Sequence, residues 1–121
     1  MIRKVNFVTI PVTDQDRALS FYTEKLGFKV MTDQPFGGGQ RWIELAIPGA
    51  ETRVVLFTAE HHRDRVGTPW SGAFWCDDVV KTHADLVAVG VEFASAPKKE
   101  PWGSYATFKD PDGNEFVLSS K

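Results

Sequence analysis

Cysteine occurs once, at Cys76, in a chain of 121 residues. One thiol permits no internal disulfide and no cysteine-cage zinc site, and it fits a reducing cytoplasm. An excess of either charge is also missing: 14 Lys and Arg are intermixed with 16 Asp and Glu, for a formal net charge of −2. Nucleic acid calls for a basic stripe and is therefore not an expected partner. No apolar run approaches the roughly 20 residues of a spanning helix, so no membrane partner is expected, and no small-residue cleavage site follows MIRKVNFVTIPV. Catalytic patterns are scarce. His61 and His62 are adjacent in a polar stretch where their side chains diverge, and His83 lies on a candidate helix. Ser71, Ser104 and Cys76 have no Ser-His-Asp or Cys-His pattern around them. Gly37-Gly38-Gly39 precedes a strand and lacks the Lys-Ser/Thr of a phosphate loop.

What the chain has in quantity is large aromatics, four Trp and nine Phe. Such residues fill cores or line pockets, and composition leaves both readings open. Period-two alternation predicts a strand over residues 4–12. Asp14 as N-cap, Asp16 in the first turn and Gly27 as a stop predict a helix over 15–26. Strands are expected over 28–32, 41–47 and 52–58, followed by a polar connector over 60–69. The order then repeats, with a strand over 71–76, a helix over 78–89 and strands over 91–94, 102–109 and 115–119. Asp110-Pro111-Asp112-Gly113-Asn114 supplies a tight hairpin in which Gly113 is free to take positive φ. Phe7 aligns with Ser71, Gly27 with Gly90 and Val55 with Val117. The expected fold is therefore α+β: a single domain of two βαβββ modules, about 1–59 and 70–121, forming a curved mixed sheet. Helices would cover the convex side and leave a concave cleft.

Val12-Thr13-Asp14 with Ala18, Phe21-Tyr22 and Leu26-Gly27-Phe28 resembles the first-module signature of the vicinal oxygen chelate superfamily. That superfamily includes glyoxalase I, bleomycin-resistance proteins and extradiol dioxygenases. Phe74-Trp75-Cys76-Asp77-Asp78-Val79 resembles its second strand-to-helix joint. Pro101-Trp102-Gly103 and Phe108 through Asn114 resemble the closing hairpin of the bleomycin-resistance-like branch. The resemblance implies one divalent cation held from the first and last strands of each module, commonly by His or Glu. Those positions fall here on Phe7, Val55, Ser71 and Val117, which are no ligand set. No metal cofactor is expected. A displaced site at Glu44 or Glu115 is the remaining route to one.

Alternation along each strand, in the register carried over from the family, gives an expected cleft lining. The first module contributes Phe7, Thr9, Trp42, Glu44, Arg53, Val55 and Phe57. The second adds Ser71, Ala73, Trp75, Tyr105, Thr107, Glu115, Val117 and Ser119, with Trp70 and Trp102 near the rim. Cys76 is expected to face the core. A soluble chain would not leave such an aromatic face to water, so a small organic ligand, a second copy of the chain, or both are expected to fill it. The resemblance makes a homodimer the expected assembly. Glu44 and Arg41 beside Trp42 suit a polar or cationic ligand. The leading expectation is a cytoplasmic, metal-free binding protein of the drug- or metabolite-sequestering kind. The alternative is a glyoxalase-like lyase or isomerase, or a dioxygenase, using a displaced metal or Glu44 as general base.

Overall fold

The computed structural model describes residues 1–58 and 60–121, and the side chains of Glu60, His61 and His62 lie outside that description. The chain forms two compact units, Met1–Val66 and Gly67–Lys121. Each carries a four-stranded mixed sheet with a short α-helix, as expected of an α+β fold with a repeated module.

In the first unit β1 (Phe7–Pro11), β2 (Lys29–Pro35), β3 (Arg41–Ala46) and β4 (Arg53–Phe57) lie in the order β1-β4-β3-β2. The β1–β4 pair is parallel and the others antiparallel. Helix α1 (Gln15–Ser20) is capped by Asp14, whose carboxylate accepts from Arg17 N at 3.0 Å. The helix does not stay α-helical to 26 as the sequence predicts. Phe21–Lys25 forms a π turn, with Leu26 N donating to Phe21 O at 3.3 Å. The wider turn allows the consecutive Phe21 and Tyr22 both to be buried, edge to face at 5.1 Å. They join Ala18 in a core with Ile10, Ile43, Leu45, Val54 and Leu56.

Strand β2 runs three residues further than expected, to Pro35, past a register shift between Val30 and Thr32. The reversal is confined to residues 36–40, because Gly37, Gly38 and Gly39 all take positive φ. On the helix side Arg41 binds both oxygens of Asp33, at 3.0 and 3.1 Å, and reaches Asp16 of α1 at 2.6 Å. The hydrogen bonds from Arg41 hold the Asp33 carboxyl below its ordinary value of 3.8. A carboxyl shifted downward contributes stability above its unfolded-state value and loses it as pH falls through the folded one. Asp33→Asn should therefore unfold more readily than the parent in urea at pH 7, by no more than about 1 kcal/mol for so exposed a pair. The difference should shrink as pH falls below the ordinary carboxyl value and vanish once the folded carboxyl is protonated.

In the second unit β5 (Pro69–Trp75), β6 (Glu92–Glu100), β7 (Gly103–Lys109) and β8 (Glu115–Ser120) lie in the order β5-β8-β7-β6, again with first and last strands parallel. Helix α2 (Val79–Ala88) is capped by Asp78, and its Val79 N donates to the buried Ser120 Oγ at 3.1 Å. The core is aromatic: Phe74, Phe108 and Phe116 have ring centroids 5.3–6.2 Å apart, and His83 meets Phe93 at 4.5 Å. Strand β6 is much longer than the expected 91–94. It is an edge strand with two register shifts, the second of which, between Ser95 and Lys98, accommodates Pro97.

One expectation is corrected here. Trp70 does not stand at the rim of an aromatic cleft. Its ring stacks on Phe74 at 5.2 Å and meets Phe116 at 5.4 Å, on the core face. It reaches that place because Gly72 has no Cβ, which would lie 2.7 Å from the indole. Cys76, expected to face the core, follows Phe74 by two residues on that side and is half-buried at the end of β5.

Residues 110–114 form the β7–β8 hairpin with Gly113 at φ 80°, as its sequence requires. Asp110 Oδ1 accepts from Asp112 N and Asn114 N at 2.9 and 3.0 Å, and Oδ2 accepts from Asn114 Nδ2 at 2.9 Å. Asn114 Oδ1 accepts in turn from Gly67 N at 2.8 Å. Both side chains are buried. Among the described residues no helix is long and apolar enough to cross a membrane.

Candidate functional site

Paired residues on neighbouring strands share a face, so the register places side chains directly. Phe7 pairs with Arg53, Thr9 with Val55 and Pro11 with Phe57, while Glu44 pairs with both Val55 and Thr32, and Trp42 with Gln34. All lie on the face of the first sheet opposite the buried Ile43, Leu45, Val54 and Leu56. Six of the residues singled out in the sequence thus share one surface: Phe7, Trp42, Glu44, Arg53, Val55 and Phe57.

The surface has an aromatic part and a charged part. Trp42 meets Phe7 at 5.4 Å and Phe57 at 6.0 Å, edge on. Phe36 joins them at 5.4 Å from Trp42 and 6.1 Å from Phe57. Beside them Arg53 Nη1 donates to Glu44 Oε2 at 2.6 Å, with the Glu44 side chain only 17% exposed. Val55 is wholly buried and serves as floor. Thr32, Gln34, Pro35, Phe36 and Trp42 line an open depression of about 400 Å³. Arg41 is not part of this surface, since it binds Asp33 and Asp16 on the helix side.

Phe36 was not among the residues the sequence singled out. It lies in QPFGGGQ, whose glycines read as a loop, yet Phe36 N donates to Gln40 O at 2.9 Å and continues the β2–β3 ladder. The alternation of Thr32, Gln34 and Phe36 was the available signal, masked by Pro35 and the glycines.

In the second unit, Val117 pairs with Ala73 and Thr107, and Ser119 with Trp75 and Tyr105, so these share one face as expected. Trp102 stacks on Tyr105 at 5.8 Å. Trp75 and Trp102 are each 62% exposed. Ser71 is exposed and falls in the irregular stretch between Pro69 and Ala73, where the pairing shifts.

Ligand chemistry can be tested position by position. Phe7, Val55 and Val117 offer no donor, and Ser71 offers a neutral hydroxyl. Glu44 is bound to Arg53, and Glu115 lies 4.0 Å from Lys109 Nζ. Among the described residues no three His, Cys, Asp or Glu side chains gather where they could hold an ion. The donor set does not fit the divalent cation that the resemblance implies.

Residues 4–118 match the sequence profile of the Glyoxalase/Bleomycin resistance protein/Dioxygenase superfamily. The uncharacterized protein YetH of Bacillus subtilis (strain 168) is 38% identical over 98% of both chains. Among solved structures, a member of the same superfamily from Sphaerobacter thermophilus DSM 20745 superposes with a TM-score of 0.89 at 32% identity, over 99% of this chain and 98% of that one. TnmS3, an antibiotic binding protein from Streptomyces sp. CB03234, superposes with a TM-score of 0.86 at 38% identity, over 98% and 96% of the two chains.

Proposed function

The chain belongs to the Glyoxalase/Bleomycin resistance protein/Dioxygenase superfamily, and from that premise we propose that it binds a small, flat organic molecule without a metal and without transforming it. The observation that carries this reading is the cluster of Phe7, Phe36, Trp42 and Phe57 beside an open depression, with one Glu44–Arg53 ion pair at its side. Aromatic faces and edges hold a planar ligand by stacking and area burial, and a few polar groups orient it. The relationship to an antibiotic binding protein supports a ligand of that chemical kind. Glu44 is a weak candidate for a general base because its Oε2 is engaged by Arg53. The half-buried Cys76 is compatible with the reducing cytoplasm where we place the protein. We further propose a homodimer, because Trp75 and Trp102 are too exposed to face water unaided.

Calorimetric titration with planar bicyclic compounds tests the reading. The parent should bind, Trp42→Ala should bind at least about tenfold more weakly, and the protein should sediment as a pair of chains. Chelated protein should take up no stoichiometric Ni²⁺, Zn²⁺, Mn²⁺ or Fe²⁺. Submicromolar metal, or an unaffected Trp42→Ala, overturns the binding reading, and a single-chain sedimentation overturns the dimer.

A further inference from the structure

The amide oxygen Oε1 of Gln40 is buried without a hydrogen-bond partner, the one such side-chain atom found among the described residues. Buried acceptors are almost always satisfied, and an orphan costs the free protein its desolvation. The place of this one in the fold gives it meaning. Phe36 N donates to Gln40 O, and the pairs Pro35 with Arg41 and Gln34 with Trp42 follow in the same register. Gln40 is therefore the cross-strand partner of Phe36 and lies on the face that bears Trp42, at the hairpin end of the aromatic cluster. Tertiary structure holds the backbone there. Gln15 of α1 donates to Arg41 O at 2.6 Å and accepts from Arg41 N at 3.1 Å, one residue from Gln40.

We infer that Gln40 is a specificity-determining residue of the proposed binding surface, and that its Oε1 accepts a hydrogen bond from an N–H or O–H group on the ligand. The inference rests on the binding reading above and narrows it to planar aromatic molecules that carry a hydrogen-bond donor at one edge. Gln40 as a residue is only half-buried, so its amide lies near the surface that a ligand on the aromatic cluster would cover. The ring system would lie in the depression lined by Phe36 and Trp42, which brings one of its edges to the hairpin. An acceptor left unsatisfied in the free protein favours a ligand that supplies the missing donor over one that does not. A site built to pair with a polar group rejects the analogue that lacks it.

Two probes differing only in that donor decide the matter: 7-hydroxycoumarin and 7-methoxycoumarin, titrated calorimetrically at pH 6, where the phenol keeps its proton. The parent should bind the hydroxyl compound about tenfold more tightly. Gln40→Leu should reduce that preference to less than about threefold by weakening 7-hydroxycoumarin and leaving 7-methoxycoumarin unchanged. Because it removes an orphaned acceptor, Gln40→Leu should also raise the melting temperature of the ligand-free protein, by about 2–5 °C. A role confined to structure would lower it. A retained hydroxyl preference, or a lowered melting temperature, overturns the inference and leaves the binding reading standing. Failure of both coumarins to bind the parent overturns both.

Discussion

Asn114→Ala should destabilise the second unit by about 2–4 kcal/mol, the largest loss expected of any single substitution discussed. Its side chain is buried and joins two parts of the chain far apart in sequence. Its Nδ2 donates to Asp110 Oδ2, and its Oδ1 accepts from Gly67 N. Alanine removes both bonds, taking a donor from the buried Asp110 carboxylate and an acceptor from the Gly67 N–H. Asp110 Oδ1 would still hold the turn through Asp112 N and the N–H of residue 114. Asn114→Asp should not rescue the loss. It restores an acceptor for Gly67 and sets a second carboxylate against Asp110. Urea denaturation followed by tryptophan emission reads the effect, and a loss below about 1 kcal/mol in Asn114→Ala refutes the account.

Gln15→Ala should cost about 2–3 kcal/mol and should also weaken ligand binding at the distant aromatic cluster. The physical reason lies at the end of a strand. Arg41 opens β3 at a point beyond the last paired residue of β4, so its N–H and C=O on that side have no strand neighbour. The side-chain amide of Gln15 takes the neighbour's place. It accepts from Arg41 N at 3.1 Å and donates to Arg41 O at 2.6 Å, as a peptide group would, and its second N–H goes to Leu56 O at 3.0 Å. Without it the hairpin that presents Phe36 and Trp42 is tied to the helix chiefly by the exposed Arg41–Asp16 contact. Hydrogen exchange provides a direct measurement, because the Arg41 amide should exchange at least about tenfold faster in Gln15→Ala. Gln15→Glu keeps one acceptor and loses both donors, so it should resemble the alanine variant. If Arg41 exchange is unchanged in either, the amide is not serving as a surrogate strand.

How much of this was legible in the sequence depends on the range of the interaction. The repeat of strand, helix and three strands, the Asp14 cap and the Gly113 turn are local, and alternation in the family's register put Phe7, Trp42, Glu44, Arg53 and Phe57 on one face. The π turn was not legible, because it answers to the burial of Phe21 and Tyr22 against a sheet that local pattern does not describe. Phe36 was hidden by the glycines beside it, and Trp70 was misplaced because its position depends on what Gly72 lacks. Gln15 opens α1 with no local signal of its role. Its partners lie 26 and 41 residues away, and nothing within the helix announces them.

The parallel pairing of first and last strands has a further consequence in time. Phe7 meets Arg53 and Pro69 meets Glu115, at equal separations along the chain, so in each unit β1 or β5 finds no partner until the last strand is in place. Local hairpins, β2 with β3 and β6 with β7, close over short loops and can form early. The final strand must then enter between two others in a single step, which carries most of the loop-closure entropy of its unit. The topology therefore predicts that each half folds in a step governed by its last strand, so that β4, which carries Arg53, Val55 and Phe57, completes the proposed binding face and the sheet of its unit at the same moment.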